Sequence, residues 1–144
     1  MKRLLLIAAT LTVLCAAAAA HCLDYEPSVV VLSGTLVRQT FPGPPNYESV
    51  ARGDSAEQIW ILRLRKGICV NVADHFDIHE AGQKQIQLVL EPEFYQRFRN
   101  FVGKRVTVTG TLFHAHTGHH YKKLLLTTTA IHGGLGRKLR KGQS

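Results

Sequence analysis

Apolar residues recur along this chain with two different periods. Residues 29–41 (VVVLSGTLVRQTF) are β-branched and apolar around Gly34, which predicts a long first strand with a bulge or sharp coil at the glycine. Residues 58–65 (QIWILRLR) predict a second strand. There Trp60, Leu62 and Leu64 share the core-facing parity, and Arg63 and Arg65 take the other. Gly67 separates this from a predicted third strand at residues 68–72 (ICVNV). Residues 74–84 are polar around Gly82 and predict a turn or loop, and residues 85–90 (QIQLVL) a short extra strand. The period then lengthens. Phe94, Phe98 and Phe101 fall at i, i+4 and i+7, one face of a helix with Pro92 in its first turn and Gly103 as its stop. Residues 105–113 (RVTVTGTLF) return to strict alternation around Gly110, and residues 121–131 predict the last strand. No internal repeat interrupts the series.

Three strands, one helix and two strands are the element order of an all-β, five-stranded, OB-like Greek-key barrel with one helix between strands 3 and 4. The strand glycines suit a small barrel, whose strands coil hard. By analogy with that fold, a ligand surface is expected on strands 2 and 3 and on the loops joining strands 1–2 and 4–5. In this chain those two loops are the two most unusual segments.

The N-terminus changes the compartment expected for the barrel. Met1, Lys2 and Arg3 form a short positive start, residues 4–14 are apolar, and residues 15–20 are small. This predicts a signal peptide over residues 1–20 with cleavage before His21, and a periplasmic or secreted location. The apolar run is too short for a spanning helix, so no transmembrane helix is expected in the mature protein. The division that follows is an N-terminal segment (21–28), the barrel (29–132) and a basic C-terminal tail (133–144). The chain has 18 Lys+Arg and 10 Asp+Glu. Cleavage removes Lys2 and Arg3, and four of the remaining cations, Arg137, Lys138, Arg140 and Lys141, lie in the tail. The barrel itself is therefore only mildly basic. Two cysteines remain after cleavage, Cys22 and Cys69, and an even count in an oxidising compartment predicts a bridge between them.

The loop between strands 4 and 5 contains His114, His116, His119 and His120, four of the eight histidines. His114 and His116 at strand spacing place two imidazoles about 6.6 Å apart on one face. That spacing suits two ligands of one Zn or Cu ion, with His119 or His120 returning over Gly118 as a third. The competing reading is a polar hairpin tip bonded to the other long loop. A second cluster, Asp74, His75, Asp77, His79 and Glu80, reads mainly as a polar turn between the third strand and the helix, with a carboxylate–histidine metal site or an acid/base pair as the alternative. The loop between strands 1 and 2 contains Pro44, Pro45, Asn46 and Tyr47, then Arg52, Gly53 and Asp54. Prolines stiffen a long loop and lower the entropy lost on binding, and tyrosine offers an amphipathic contact. Pro45, Asn46, Tyr47 and Asp54 are thus candidate ligand-binding residues. The Arg52-Gly53-Asp54 tripeptide reads as a turn into the second strand rather than as an adhesion motif.

These motifs resemble an uncharacterised family of exported bacterial proteins, a domain of unknown function with an OB-like barrel. The likeness runs from about Val29 to Ile131. It rests on SGTL at residues 33–36, FPGPPNYES at 41–49, Gly53-Asp54, Trp60-Ile61-Leu62, Ile68-Cys69-Val70 and GTLFHAHTGHH at 110–120. Lys66-Gly67 departs from the family's pattern, which has a proline there, and this affects a turn only. The resemblance implies the fold and export, and no activity or catalytic residue.

The function class that follows is a non-catalytic binding module for a protein or small ligand, with transition-metal binding by the histidine loop as the alternative. Single-stranded nucleic-acid binding is a further one, resting on Arg63, Arg65 and Trp60. The core-facing parity of Trp60 and the expected export both argue against it. No Gly-x-Ser-x-Gly, His-Glu-x-x-His, P-loop or dinucleotide-binding glycine pattern occurs, so no enzyme is expected.

Overall fold

A computed structural model describes residues 21–72 and 78–134. Its strands are β1 (Leu23–Asp24), β2 (Val29–Pro42), β3 (Ala56–Asn71), β4 (Glu80–Val89), β5 (Arg105–His114) and β6 (Leu124–Gly133). One helix, α1 (Pro92–Phe98), lies between β4 and β5 and is continued by a 3₁₀ turn at Arg99–Phe101.

Strands β2 to β6 close a ring. β3 is antiparallel to both β2 and β4, β4 runs parallel to β6, β6 is antiparallel to β5, and β5 is antiparallel to β2. With β2 counted as the first barrel strand, this is the all-β, OB-like Greek-key order expected from the sequence. Two glycines permit the close strand approaches. A Cβ on Gly34 would lie 2.5 Å from the Arg63 carbonyl oxygen, and one on Gly110 would overlap the Thr127 carbonyl oxygen.

The core is filled by alternate residues of each strand, among them Leu36, Leu62, Ile86, Val108, Leu112 and Leu126. Trp60 and Leu64 join it, as their parity predicts. Phe94, Phe98, Phe101 and Val102 pack against the same cluster, so α1 and its 3₁₀ extension close one end of the barrel. Cys22 and Cys69 are disulfide-bonded, with Cα atoms 4.7 Å apart. The bridge stands beside the short parallel pairing of Leu23 with Val70.

Several boundaries differ from the sequence expectation. The predicted second and third strands are one, β3, which runs through Gly67 with register shifts on either side of Ile68. Gly67 is there for proximity rather than for a turn. A Cβ would lie 2.7 Å from the Gly82 backbone on β4. The true third barrel strand is β4, which takes in residues 80–84 of the predicted loop and most of the predicted extra strand. Its outer end reaches Glu80, a buried residue whose carboxylate is hydrogen-bonded. The last strand starts at Leu124 rather than residue 121. Residues 121–123 are held by side-chain contacts to other strands, as described below. The predicted signal peptide (residues 1–20), residues 73–77, which take in Asp74, His75 and Asp77 of the second cluster, and the tail from residue 135 lie outside the described residues.

Candidate functional site: the junction of two long loops

Two loops leave the barrel and meet. L12, residues 43–55, joins β2 to β3, and L45, residues 115–123, joins β5 to β6.

L12 is organised by one carboxylate. Asp54 Oδ1 accepts from the Asn46 backbone N–H at 2.9 Å and from Asn46 Nδ2 at 3.1 Å. Its Oδ2 accepts from the backbone N–H groups of Glu48 and Ser49, both at 2.8 Å. These donors, chiefly the Ser49 and Asn46 amides, hold the Asp54 carboxyl below its usual range against the opposing effect of desolvation. Asp54 is buried and Asn46 is turned to it, so both serve the loop's own shape. Pro44, Pro45 and Tyr47 stand exposed at its tip. Tyr47 has φ +58°, a backbone region unfavourable for a bulky side chain, and is pinned there by its N–H bonding the Gly43 carbonyl. Arg52 pairs with Glu48 on the surface at 3.1 Å, so the Arg52-Gly53-Asp54 tripeptide is a turn, as read from the sequence.

L45 folds back against the outside of the barrel. Paired residues form an outward row across four strands: Val37 on β2, Ile61 on β3, Gln87 on β4 and Leu125 on β6. Cross-strand partners share a face. Ile61, Gln87 and Leu125 are nevertheless buried. Gln87 ties the loop down. Its Nε2 donates to the His119 carbonyl at 2.9 Å and its Oε1 accepts from the Tyr121 N–H at 2.7 Å. The Tyr121 ring stacks on Phe41 with centroids 4.5 Å apart, and Lys122 Nζ stands 5.1 Å above the other ring of that pair, Phe41.

A polar chain then links the two loops. Tyr47 Oη lies 3.3 Å from His119 Nε2, and His119 Nδ1 lies 3.0 Å from the Glu57 carboxylate. Tyr121 Oη donates to the same carboxylate at 2.7 Å, with the Pro42 carbonyl oxygen 3.1 Å away. The Tyr47 and His119 rings meet edge to face at 5.5 Å, and a Cβ on Gly118 would lie 3.3 Å from the Tyr47 ring. The His119 hydrogen bond, assisted by Tyr121, draws the Glu57 carboxyl below its usual range despite desolvation. Burial first, then Glu57, push the Tyr121 phenol up. Carboxylate, imidazole and phenol in this order could pass a proton. The His119 side chain is 58% exposed, however, so solvent screens the chain.

The other histidines have separate partners. His114 Nε2 lies 3.2 Å from Glu80 Oε1, whose other oxygen receives Gln83 Nε2 at 2.7 Å and faces Lys123 Nζ at 3.6 Å. His116 and His120 meet edge to face at 4.6 Å, and the His116 N–H donates to His120 Nδ1 at 3.0 Å. Burial, then the charges of His116 and His119, push the His120 imidazole below its ordinary value. Among the described residues, no group of three or more His, Cys, Asp or Glu side chains is placed to hold a metal ion. The residues that sequence reasoning missed are Glu57, Gln87 and Tyr121, and Glu80, which it placed in a separate polar cluster, instead meets His114. Gln87 carried a faint signal, as a polar residue inside an otherwise apolar run.

A protein-family model of a domain of unknown function, DUF4431, matches residues 85–132. This is the stretch from β4 through α1 and β5 to β6, including all of L45 and the four histidines His114, His116, His119 and His120. L12 lies outside the match. No curated protein matches the chain. Among the described residues, no helix is long and apolar enough to cross a membrane.

Proposed function

We propose that the protein is an exported, non-catalytic binding module whose ligand, a protein segment or small molecule, is held across the L12–L45 junction. The observation that carries this reading is the chain Tyr47–His119–Glu57–Tyr121, which makes one preorganised surface from two loops far apart in sequence. Preorganisation lowers the entropy lost when a ligand docks. Tyr47 and the exposed prolines beside it supply stiff, amphipathic contact area, and Lys122 and Lys123 flank it with positive charge. The N-terminal signal pattern and the Cys22–Cys69 bridge support an oxidising compartment.

The test is native isolation of residues 21–144 from the cell envelope, followed by mass spectrometry of what stays bound. A species retained by the wild type and lost from both Tyr47→Ala and His119→Ala, each still folded, supports the junction. Retention that ignores both substitutions would refute it.

A further inference from the structure

Away from the junction, the outer face of β2 begins with two uncovered valines. Val29 and Val31 are 68% and 64% exposed, the most exposed large apolar residues among those described. Both point outward with Ser33, because Val30 and Leu32 take the inward parity. Beside them, the β2–β3 pairing stops at Thr35 and Arg63, and an open groove of about 720 Å³ lies between the strands beyond it. Val31, Ser33, Leu64, Arg65, Lys66 and Arg105 line it. The lining brings three cations together and includes no carboxylate.

The positive charge extends beyond the groove. Arg105 pairs with Thr35, and Thr35 with Arg63, so Arg63 and Arg105 stand on one outward row. Arg63, Arg65, Lys66 and Arg105 are all exposed. Gly134, the last described residue, donates its N–H to the Arg105 carbonyl at 2.8 Å. The C-terminal sequence therefore departs from the groove's own rim, and it contains Arg137, Lys138, Arg140 and Lys141.

We propose that this face docks on an anionic phospholipid surface, with a lipid phosphate in the Arg65–Lys66–Arg105 groove and Val29 and Val31 against the acyl boundary. Clustered cations seek anionic headgroups, and each Lys or Arg near such a surface strengthens binding about fivefold. An acidic protein would satisfy the cations but gives no reason for two bare valines beside them. A lipid interface matches both features. The proposal is independent of the loop junction and shares no residue with it.

The test uses residues 21–144, which contain every described element and the disulfide. Binding is measured by vesicle sedimentation against phosphatidylcholine alone and against phosphatidylcholine with 30% phosphatidylglycerol. Inorganic phosphate is titrated separately by calorimetry. The wild type should bind only the anionic vesicles and release them in high salt. The triple variant Arg65→Gln/Lys66→Gln/Arg105→Gln should bind about a hundredfold more weakly, from fivefold per cation. Val29→Ser/Val31→Ser, exposed and tolerant of change, should lose roughly tenfold. Truncation after Gly134 should weaken binding while leaving the groove substitutions effective. Three results would each overturn the proposal. They are absence of binding to anionic vesicles, binding that depends on the tail and ignores the groove, and tight inorganic phosphate binding without vesicle binding.

Discussion

The Tyr121–Glu57 hydrogen bond is where the loop junction can be measured as an energy. Tyr121→Phe deletes one oxygen and keeps the ring stacked on Phe41. A hydroxyl donating to a carboxylate at 2.7 Å is a charge-assisted bond. Such bonds are worth about 1.5–3 kcal/mol when well shielded. The Glu57 side chain is 22% exposed, so water replaces part of the loss, and Tyr121→Phe should cost about 1–1.5 kcal/mol. Glu57→Gln removes the charge that both Tyr121 and His119 address. A double-mutant cycle with Tyr121→Phe should therefore give a coupling energy of about 1 kcal/mol. Urea unfolding at pH 7, followed by tryptophan fluorescence from Trp60, reads each variant. With a slope of about 1–3 kcal/mol/M, the single Tyr121 change moves the midpoint by about 0.3–1.5 M. Additivity of the two substitutions, or a Tyr121→Phe protein as stable as the wild type, would show that the loops are not joined through this bond.

Four other outcomes follow from the same geometry. Cys22→Ser/Cys69→Ser opens a loop closed across a sequence separation of 47 and should lower the unfolding free energy by about 4 kcal/mol in the chain-entropy model. Gly110→Ala forces a methyl group into the Thr127 carbonyl and should cost about 3 kcal/mol or more by thermal denaturation, with Gly118→Ala much milder. Acidification should destabilise the protein in two stages. His120, whose folded value lies below its ordinary 6.5, contributes stability above that pH and loses it as pH falls through the folded value. Glu57 does the same from its ordinary 4.5 downward and Asp54 from 3.8, so urea midpoints taken from pH 8 to 3 should lose their upper step in His120→Asn and only part of their lower step in Glu57→Gln. Finally, calorimetry with Zn²⁺ or Cu²⁺ should give binding weaker than micromolar, little changed in His114→Ala/His116→Ala, because the histidines are divided among Glu80, Glu57 and each other.

The barrel was legible because its signals are local. Alternation placed Trp60, Leu62 and Leu64 inward, the Phe94–Phe98–Phe101 spacing gave the helix, and the cysteine count gave the bridge. Gly67 misled because a glycine in an apolar run reads as punctuation. Its actual reason, the backbone of Gly82, is fifteen residues away in sequence and adjacent only in the fold. The histidine loop was visible as a cluster, but its use was not. Which imidazole meets which carboxylate depends on L45 folding back across β4, and that is fixed by Gln87, a residue of no special type. Asp54 likewise read as a contact residue because its four bonds to L12 are set by loop geometry rather than by spacing.

The most direct measurement of the central claim is an amide chemical-shift map of residues 21–144, titrated with a low-molecular-weight extract of the cell envelope that raises the protein's Tm. A ligand held by the junction should shift the amides of residues 46–49 and 118–121 together, in one binding isotherm. Shifts confined to α1, or spread over the outer face of β2 while both loops stay silent, would contradict it.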